Sequence, residues 1–568
     1  MEGTTQEVPG KTPCGVKPFY WKKGIEPREG KRPPLIPNKK EIADGMDITW
    51  DVPVTMRDGV RVYVDVFRPE GVTGKLPIIF TFSPYGKHGP KTFDIFPGAD
   101  VPKEWVSKYA VWESIDPVVW TKKGYAVING DSRGSWGSEG DLEIFSQQES
   151  RDGHDCIEWA GTLPWSNGKV GMIGVSYLSI VQWGIAAQNP PHLAAFVPWE
   201  GFTDFYRDYT HHGGIPETKF LHFTQWSCRA GVNLVEDLIA NNKAHPLLDD
   251  YHRSKCVQDL SNITTPAYVV ADWGDHGMHT RGTLNGYIGI SSKEKWLEVH
   301  GRKKWRYFFE PESVRRQEAF FQKFLKGEAS EIDAYPKVRI EIRDRAWVGE
   351  FRNEVEWPLS RAKFVKKYID ASAGKLLGEP PRAVTTISYD SDVQDSCAHF
   401  FLDFDRETEL TGSMRLRLWV STDLGDDMDI FVQLDKIDRE DRVTPYVAFS
   451  MIDDGPLGLG WLRVSHRDLD LVKSTVDRPF HKHDRRLLLR SNEVVPIDVE
   501  ILPTSTLFHP GERLRVKVQG NDSFRHSTPD VVQFHEDSVN KEWVYLRIVT
   551  KDTEFDTAIQ AYTLNFNE

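Results

Sequence analysis

The sequence lacks several features that would place the protein outside the cell, in a membrane or on nucleic acid. Among 568 residues it has only five cysteines, an odd number with wide spacing and no CxxC pair: Cys14, Cys156, Cys228, Cys256 and Cys397. This excludes a disulfide framework and a thiolate zinc site. No run of about 18 apolar residues is present, so we expect no membrane span.

Negative charge outnumbers positive charge. Lys and Arg number 71 against 84 Asp and Glu, a net charge of −13, so nucleic acid is not an expected partner. The opening MEGTTQEVPGKTPCGVK has no apolar stretch, and we therefore expect no secretory signal and a cytoplasmic protein. The length and the 39% hydrophobic content suit an enzyme of several domains, which could form a homo-oligomer.

Short apolar runs, several of them rich in β-branched residues, follow an irregular Pro-, Gly- and Lys-rich arm at 1–45. They include LPIIFTF, YAVING, KVGMIG, AAFVPW, AYVVADW and WLEVH, with helical stretches such as 150–162 and 178–188 between some of them. Strands of this kind are typical of a parallel sheet that helices cover on both faces. The pattern predicts an α/β domain over 46–203 and 263–335.

Two regions depart from this pattern. Residues 204–262 are aromatic and polar without a clear buried strand, and we interpret them as a mostly helical cap insertion. Residues 340–568 contain short alternating strands, beginning with VRIEIR and separated by Gly-, Asp- and Pro-rich turns. That spacing predicts an all-β sandwich of the jelly-roll type.

The feature that carries most chemistry is Gly174-Val175-Ser176-Tyr177-Leu178 between a predicted strand and a predicted helix. A serine on such a tight turn is a nucleophile elbow, the site of an activated serine in the α/β-hydrolase fold. Leu178 departs from the usual G-x-S-x-G pattern, and a serine that merely caps a helix is the alternative.

A nucleophilic serine needs a base and an acid, which follow it in this fold in the order Ser, Asp, His. Asp275 and His300 come at the ends of consecutive predicted strands, with Asp272 as the rival acid. We expect His300 to accept the proton of Ser176 and Asp275 to orient His300. Asp275, His276 and His279 could instead suggest a metal pair, but without an HExxH pattern we expect no metal.

Residues around the reacting carbonyl can also be proposed. The loop after LPIIFTF begins Ser83-Pro84-Tyr85, and we expect the Tyr85 hydroxyl and the Tyr177 backbone N–H to form the oxyanion hole. The Tyr85 side chain could equally be a packed loop anchor. Aromatic residues that could line the acyl pocket are Trp199, Phe202, Phe205, Tyr206 and Trp226.

Several segments resemble the cocaine esterase/NonD family, whose relatives include X-Pro dipeptidyl-peptidases and α-amino-acid ester hydrolases. They are SPYGK, GYAVINGDSRGSWGSEG, EWAGTLPWSNGKVGMIGVSYLS, TTPAYVVADWGD and WLEVHGRKKW, and the likeness runs from about residue 48 to the C-terminus. The resemblance places the nucleophile on Ser176, the oxyanion tyrosine on Tyr85 and the acid on Asp275 rather than Asp272. Many members carry the histidine in a G-P-W-x-H stretch, which is absent here.

The resulting hypothesis is a serine hydrolase that cleaves a small-molecule ester or amide through an acyl-enzyme, with no cofactor. An ester with a bulky, partly aromatic acyl group is the first choice. An X-Pro dipeptidyl-peptidase would need a carboxylate for the substrate amine, for which Glu200, Asp204 and Asp208 are available. An acyltransferase or cyclase with the same triad and a non-enzymatic carbohydrate-binding protein remain as alternatives.

Overall fold

A mixed sheet that runs through the first two-thirds of the chain dominates the computed structural model. The structure describes residues 4–12, 15–26, 35–391, 393, 395–522, 545–550 and 558–564, so Cys14 and parts of the predicted arm lie outside the described residues. The sheet strands are β1 (Lys39–Ala43), β2 (Met46–Thr55), β3 (Arg61–Pro69), β4 (Leu76–Ser83), β5 (Ala126–Asp131), β6 (Ser166–Val175), β7 (Leu193–Trp199), β8 (Ala267–Asp272), β9 (Lys295–His300), β10 (Val338–Arg345) and β11 (Val348–Glu354).

The strands pair in the order β1-β2-β3-β5-β4-β6-β7-β8-β9-β10-β11. From β5 to β10 all neighbours are parallel, and antiparallel strands complete both edges. Every residue of β4, β5 and β8 is buried. The continuous apolar runs therefore mark strands covered on both faces, as predicted.

The helices cover the sheet and form most of the cap. They are α1 (Thr92–Ile95), α2 (Pro117–Lys122), α3 (Gln147–Gly161), α4 (Tyr177–Ala186), α5 (Phe220–Ser227), α6 (Leu238–Ala244), α7 (Asp250–Arg253), α8 (Thr280–Gly289), α9 (Lys304–Phe309) and α10 (Pro311–Phe321). Within the described residues no helix is long and apolar enough to cross a bilayer.

The predicted insertion at 204–262 contains α5, α6 and α7 together with a short strand, Leu234–Glu236. That strand pairs with Tyr20–Lys23 of the N-terminal arm. The arm is therefore not wholly irregular: one strand anchors it to the cap, and Lys39–Ala43 joins the edge of the main sheet.

The C-terminal part is a β-sandwich whose strands are almost entirely antiparallel. Its longer strands are Lys363–Asp370, Thr385–Asp390, Cys397–Asp403, Thr408–Thr422, Asp429–Ile437, Gly458–Arg463, Val495–Phe508, Arg513–Gln519, Tyr545–Thr550 and Ala558–Leu564. The sandwich has a separate apolar core that begins at Ile369. The architecture is thus an α/β-hydrolase domain followed by a β domain.

The first strand assigned to the sandwich from sequence belongs elsewhere. VRIEIR lies in β10, which pairs in parallel with β9 and so extends the hydrolase sheet. Its polar positions Glu341 and Arg343 are as buried as its apolar ones, because Glu341 pairs with Arg302 and Arg343 bonds to the sandwich strand. The sandwich strands proper start at Lys363 rather than near residue 340.

One buried arginine joins the two parts. The Arg343 side chain on β10 is almost fully buried, and its Nε donates to the Ser505 carbonyl at 3.0 Å. A second guanidinium nitrogen donates to the Thr504 hydroxyl, so the sandwich strand Val495–Phe508 is held directly against the sheet. Losing these bonds would leave buried acceptors without donors.

We expect Arg343→Met to lower the free energy of unfolding by about 1–3 kcal/mol, because buried acceptors lose their partners. Arg345→Met is the matched control, since that side chain is 57% exposed and its guanidinium pairs with the adjacent Asp344. Urea unfolding of both variants measures the difference. Equal midpoints for Arg343→Met and the wild type would contradict this account of the domain junction.

Candidate active site

Ser176 stands on a strained turn between β6 and α4. Its backbone has φ 53° and ψ −113°, outside the regions that side chains ordinarily favour. The Ser176 backbone N–H bonds to the carbonyls of Trp199 and Glu200, both at 3.1 Å, and its own carbonyl accepts from Ile180 at 2.8 Å. A strained serine held in this way at the start of a helix is the geometry of a nucleophile elbow.

The departure at position 178 has a steric explanation. Gly174 has φ 152°, and a Cβ there would come within 2.4 Å of the Leu178 Cβ. In most elbows a small residue two positions after the serine keeps this turn free of clashes. Here Gly174 has no side chain, and the space beside it accommodates Leu178. Leu178 is therefore compatible with the elbow.

Ser176, His279 and Asp275 form a continuous hydrogen-bonded relay. The Ser176 Oγ lies 3.2 Å from the His279 Nε2, and the His279 Nδ1 contacts the Asp275 Oδ2. Because Asp275 accepts at Nδ1, that nitrogen carries the proton and Nε2 offers its lone pair to the serine hydroxyl. The arrangement can move a proton from Ser176 to His279.

A buried lysine contacts both Asp275 and His279 of this relay. The Lys304 Nζ lies 2.9 Å from the Asp275 Oδ2 and 3.2 Å from the His279 Nδ1. Burial alone would raise the pKa of Asp275, but the Lys304 cation and the hydrogen bonds from Lys304 and His279 hold it well below its ordinary value. Burial and the Lys304 cation together lower the pKa of His279 to about 4. The imidazole is consequently neutral, and able to act as a base, at all pH values well above 4.

The structure does not bring His300 to Ser176, contrary to the sequence-based expectation. His300 is fully buried at the end of β9, its Nδ1 accepts the Arg302 backbone N–H at 3.1 Å, and its Nε2 lies 3.1 Å from the Glu200 Oε1. Its ring packs against Tyr307 at 4.1 Å between centroids. Both ring nitrogens thus face groups other than the serine.

Asp272, the rival acid, is at the corresponding end of β8. Its Oδ1 accepts the Gly274 backbone N–H at 2.8 Å, and burial raises its pKa well above the ordinary value. It forms part of the turn that presents Asp275, which is the carboxylate that contacts His279.

Tyr85 and the Tyr177 backbone N–H lie beside the serine as expected. Tyr85 lines the same cavity as Ser176, stacks on Trp112 at 3.8 Å, and meets the Tyr177 ring edge-on at 5.3 Å. Burial raises the pKa of Tyr85 well above its ordinary value, so its hydroxyl keeps the proton that an oxyanion donor must supply.

A buried ionic cluster fixes the loop that carries Tyr85. The Lys87 backbone N–H donates to the Asp131 Oδ1 at 2.6 Å, and its ammonium contacts Asp51 and lies 2.9 Å from the Asp65 Oδ1. Asp51, Asp65 and His88 are close enough together to hold a metal ion. Because the Lys87 ammonium already contacts both carboxylates, the cluster is best described as a structural anchor.

The cavity beside Ser176 is small and aromatic. Its volume is about 30 Å³, and its lining comprises Tyr85, Phe96, Trp112, Glu113, Ser176, Phe220, Phe223, Asp275, Met278, Lys304, Trp305, Phe449 and Met451. Phe449 and Met451 come from the C-terminal domain, which therefore closes one side of the site.

None of the five aromatic residues predicted for the pocket lines this cavity. Trp199 packs on Phe308, Phe202 and Phe205 pack around Tyr209, Tyr206 stacks on His211, and Trp226 is 44% exposed beside Phe223. Of the aromatic residues in the insertion, Phe220 and Phe223 of α5 line the cavity.

The three carboxylates considered for a substrate amine also lie elsewhere. Asp204 pairs with Arg207 at 2.6 Å, Asp208 pairs with Arg281 at 2.7 Å, and Glu200 faces His300. Apart from Asp275 of the relay, the acidic residue that lines the cavity is Glu113, which sequence reasoning missed.

Sequence signals for the missed residues were weak but present. Asp275 and His279 are four residues apart, a spacing that brings side chains together in a single helical turn. We interpreted this pattern only as a weak metal motif. Glu113 and Lys304 have no motif, since each reaches the site through a loop whose path depends on the whole fold.

Comparison with known proteins agrees with this architecture. A family model described as X-Pro dipeptidyl-peptidase (S15 family) matches residues 58–244, and one for the X-Pro dipeptidyl-peptidase C-terminal non-catalytic domain matches residues 330–530. Cocaine esterase from Rhodococcus sp. (strain MB1 Bresler) is 24% identical over 84% of this chain and 91% of its own length.

Solved structures extend the comparison. A CocE/NonD family hydrolase from Staphylococcus aureus is 39% identical, with a TM-score of 0.88 over 92% of this chain and 94% of that one. An aminopeptidase from a marine sediment Thaumarchaeota archaeon is 17% identical, with a TM-score of 0.70 over 94% of this chain and 100% of that one. The latter shows a common fold.

The environment of His279 generates a spectroscopic prediction. In protein labelled with ¹³C at the histidine Cε1, the His279 signal, assigned by its loss in His279→Gln, is expected to titrate near pH 4 rather than 6.5. Lys304→Met removes the adjacent cation and is expected to raise this midpoint by about one pH unit or more. A wild-type midpoint near 6.5 would refute the described electrostatics.

Proposed function

The chain belongs to the CocE/NonD family of serine hydrolases, and from that premise we propose that it hydrolyses esters with Ser176 as nucleophile, His279 as general base and Asp275 as the orienting acid. The observation that carries the proposal is the Ser176–His279–Asp275 relay, with the serine Oγ 3.2 Å from the His279 Nε2. In this proposal His279 takes the role that the sequence suggested for His300.

The proposed reaction begins with transfer of the Ser176 proton to His279 as Oγ attacks the ester carbonyl carbon. Collapse of the tetrahedral intermediate breaks the ester C–O bond, and His279 returns the proton to the leaving alcohol. Water, deprotonated by the same imidazole, then releases the acid and regenerates Ser176. Asp275 stabilises the imidazolium that forms in each half of the cycle.

The negative charge that develops on the carbonyl oxygen needs donors placed in advance. The Tyr85 hydroxyl and the Tyr177 backbone N–H are the proposed oxyanion hole, and both lie beside Ser176. The N-terminus of α4 adds a favourable dipole at the same point.

The cavity favours a small acyl group. Packed aromatic rings line it, so a short acyl group enters with less displacement of side chains than an aromatic ring does. We therefore propose a short, apolar acyl group in place of the bulky aromatic one expected from composition.

An ester is favoured over a peptide with a free amine because Asp204 and Asp208 are engaged in ion pairs away from the cavity and Glu200 faces the buried His300. Acyl transfer to another nucleophile uses the same relay, and the competing nucleophile would have to enter the same narrow site.

The triad assignment can be tested by intact mass after treatment with a small fluorophosphonate. We expect one adduct on the wild type and none on Ser176→Ala. His279→Gln should slow labelling and ester turnover by about 10³-fold or more, because the base is lost. His300→Gln, the matched control, should still be labelled in its folded fraction. Normal labelling of His279→Gln together with loss in His300→Gln would reverse the assignment.

The acyl preference requires a separate measurement. With a common leaving group, kcat/KM is expected to fall from acetate through butyrate to benzoate, because larger acyl groups must displace the aromatic lining. Phe223→Ala enlarges the pocket and should relieve the penalty for benzoate, with Trp226→Ala as a neighbouring control on the exposed side of α5. A wild-type preference for benzoate would contradict the proposal.

A further inference from the structure

Glu113 is a buried glutamate placed against the nucleophile elbow by a strained backbone. It lies between β4 and β5, has φ 62°, and is 1% exposed. Its carbonyl accepts the Val175 backbone N–H at 3.1 Å, immediately before Ser176. A non-glycine residue held in the left-handed region costs free energy, and such residues cluster at functional sites.

The Glu113 side chain lines the cavity that contains the nucleophile elbow. It does so together with Ser176 and Tyr85. The Trp305 Nε1 donates to the Oε1 at 3.1 Å, and the Tyr177 backbone N–H lies near enough to the carboxyl group to lower its pKa. The amide expected to stabilise the oxyanion therefore lies beside an acidic side chain.

We propose that Glu113 is a proton-controlled member of the oxyanion hole: in its neutral form it donates a hydrogen bond to the substrate carbonyl oxygen, and in its ionised form it retains the Tyr177 N–H and disables the site. This inference rests on the proposed function, since it presupposes that Ser176 is the nucleophile.

The neutral and ionised forms of Glu113 differ in their interactions with an oxyanion because they differ in charge. A neutral carboxyl group gives up the Tyr177 amide readily and can offer its own O–H beside Tyr85 to the developing oxyanion. A carboxylate has no proton to donate, competes for the amide, and repels a second negative charge at hydrogen-bond distance in a water-poor cavity. The proton stays on Glu113 throughout, so no bond to it is made or broken.

The surroundings of Glu113 place its ionisation in a pH range where the protein can be assayed. Burial raises the pKa of Glu113 to about 8, although the Lys304 cation and the Trp305 and Tyr177 hydrogen bonds oppose the increase. The Asp275 carboxylate adds to it. As the pH rises through 8, the protonated fraction of Glu113 falls and with it the competent form of the site.

Other titratable groups facing Glu113 do not change charge near that pH. The negative charge of ionised Glu113 also acts electrostatically on Tyr85, Tyr209 and Cys228. Burial raises the pKa of each of these groups well above 8. His279 is already neutral, since its pKa is about 4.

One nearby carboxyl group is a genuine rival. Glu149 accepts the Tyr177 phenolic hydroxyl at 2.9 Å, and burial raises its pKa to about 7. It lies on α3, on the far side of the Tyr177 ring from the backbone N–H, and does not line the cavity. It is therefore the matched control for a buried acid that touches the same tyrosine.

The experiment measures the second-order rate of Ser176 labelling by a fluorophosphonate from pH 5 to pH 10 for the wild type, Glu113→Gln and Glu149→Gln. The wild-type rate should form a plateau and then fall about tenfold for each pH unit above 8. Glu113→Gln, which keeps an N–H donor but cannot ionise, should show no alkaline decline, whatever its rate at pH 7. Glu149→Gln should keep the wild-type profile.

Each contrary result has a distinct meaning. Absence of labelling at every pH would refute the proposed function itself, whereas labelling with a flat wild-type profile would refute only the role of Glu113. Disappearance of the decline in Glu149→Gln but not in Glu113→Gln would transfer the effect to the rival and overturn the inference.

A second substrate pair tests whether Glu113 instead binds an amine. Hydrolysis of an α-amino ester and its N-acetyl counterpart is compared in the wild type and Glu113→Gln. Equal effects on the two esters support the oxyanion role, and a selective loss with the free amine would show that Glu113 is an anchor for a cationic substrate.

Discussion

The carboxylate of Asp275 is a negative charge buried almost completely, and the rest of the site depends on how that charge is balanced. Lys304 and His279 contact the same carboxylate oxygen, so a full positive charge and a polarisable imidazole share one acceptor. With Lys304 charged, Asp275 stays ionised and His279 stays neutral, as a general base requires. Without such compensation a buried carboxylate would take up a proton and lose its hold on the imidazole.

Other buried acids surround the same lysine. Glu200 and Glu113 are close enough to influence Lys304, yet burial raises the pKa of both. One ammonium cannot neutralise three carboxylates in a low-dielectric region, so Asp275, which it contacts directly, is ionised and the others are driven towards their protonated forms. Burial is the main reason that Glu113 is neutral beside Ser176, and the Asp275 carboxylate adds to that effect.

Sequence reasoning succeeded where local patterns decide the structure and failed where distant segments meet. The buried parallel strands, the elbow at Ser176 and the place of Asp275 after β8 follow from apolar runs and turn chemistry within a few residues. The lining of the cavity does not, because Trp112, Trp305 and Phe449 converge from three separate regions. VRIEIR was assigned to the wrong layer since a strand of the hydrolase sheet whose polar side chains are buried and paired has the same alternation as a sandwich strand. His300 satisfied the order Ser–Asp–His, but chain order does not specify side-chain direction.

The proposed base, His279, can come from a different segment than His300 because two side-chain contacts, and not a place in the chain, define the position of a base. Its Nδ1 must meet Asp275 and its Nε2 must meet Ser176, and any backbone that brings an imidazole between them will serve. In this chain Asp275 and His279 share one turn before α8, so the proposed acid and base are oriented by the same short segment. The turn after β9, beside the His300 that the sequence suggested as the base, supplies Lys304 and Trp305 instead. These residues hold Asp275 and Glu113 respectively, so that turn shapes the electrostatics of the site without providing the base.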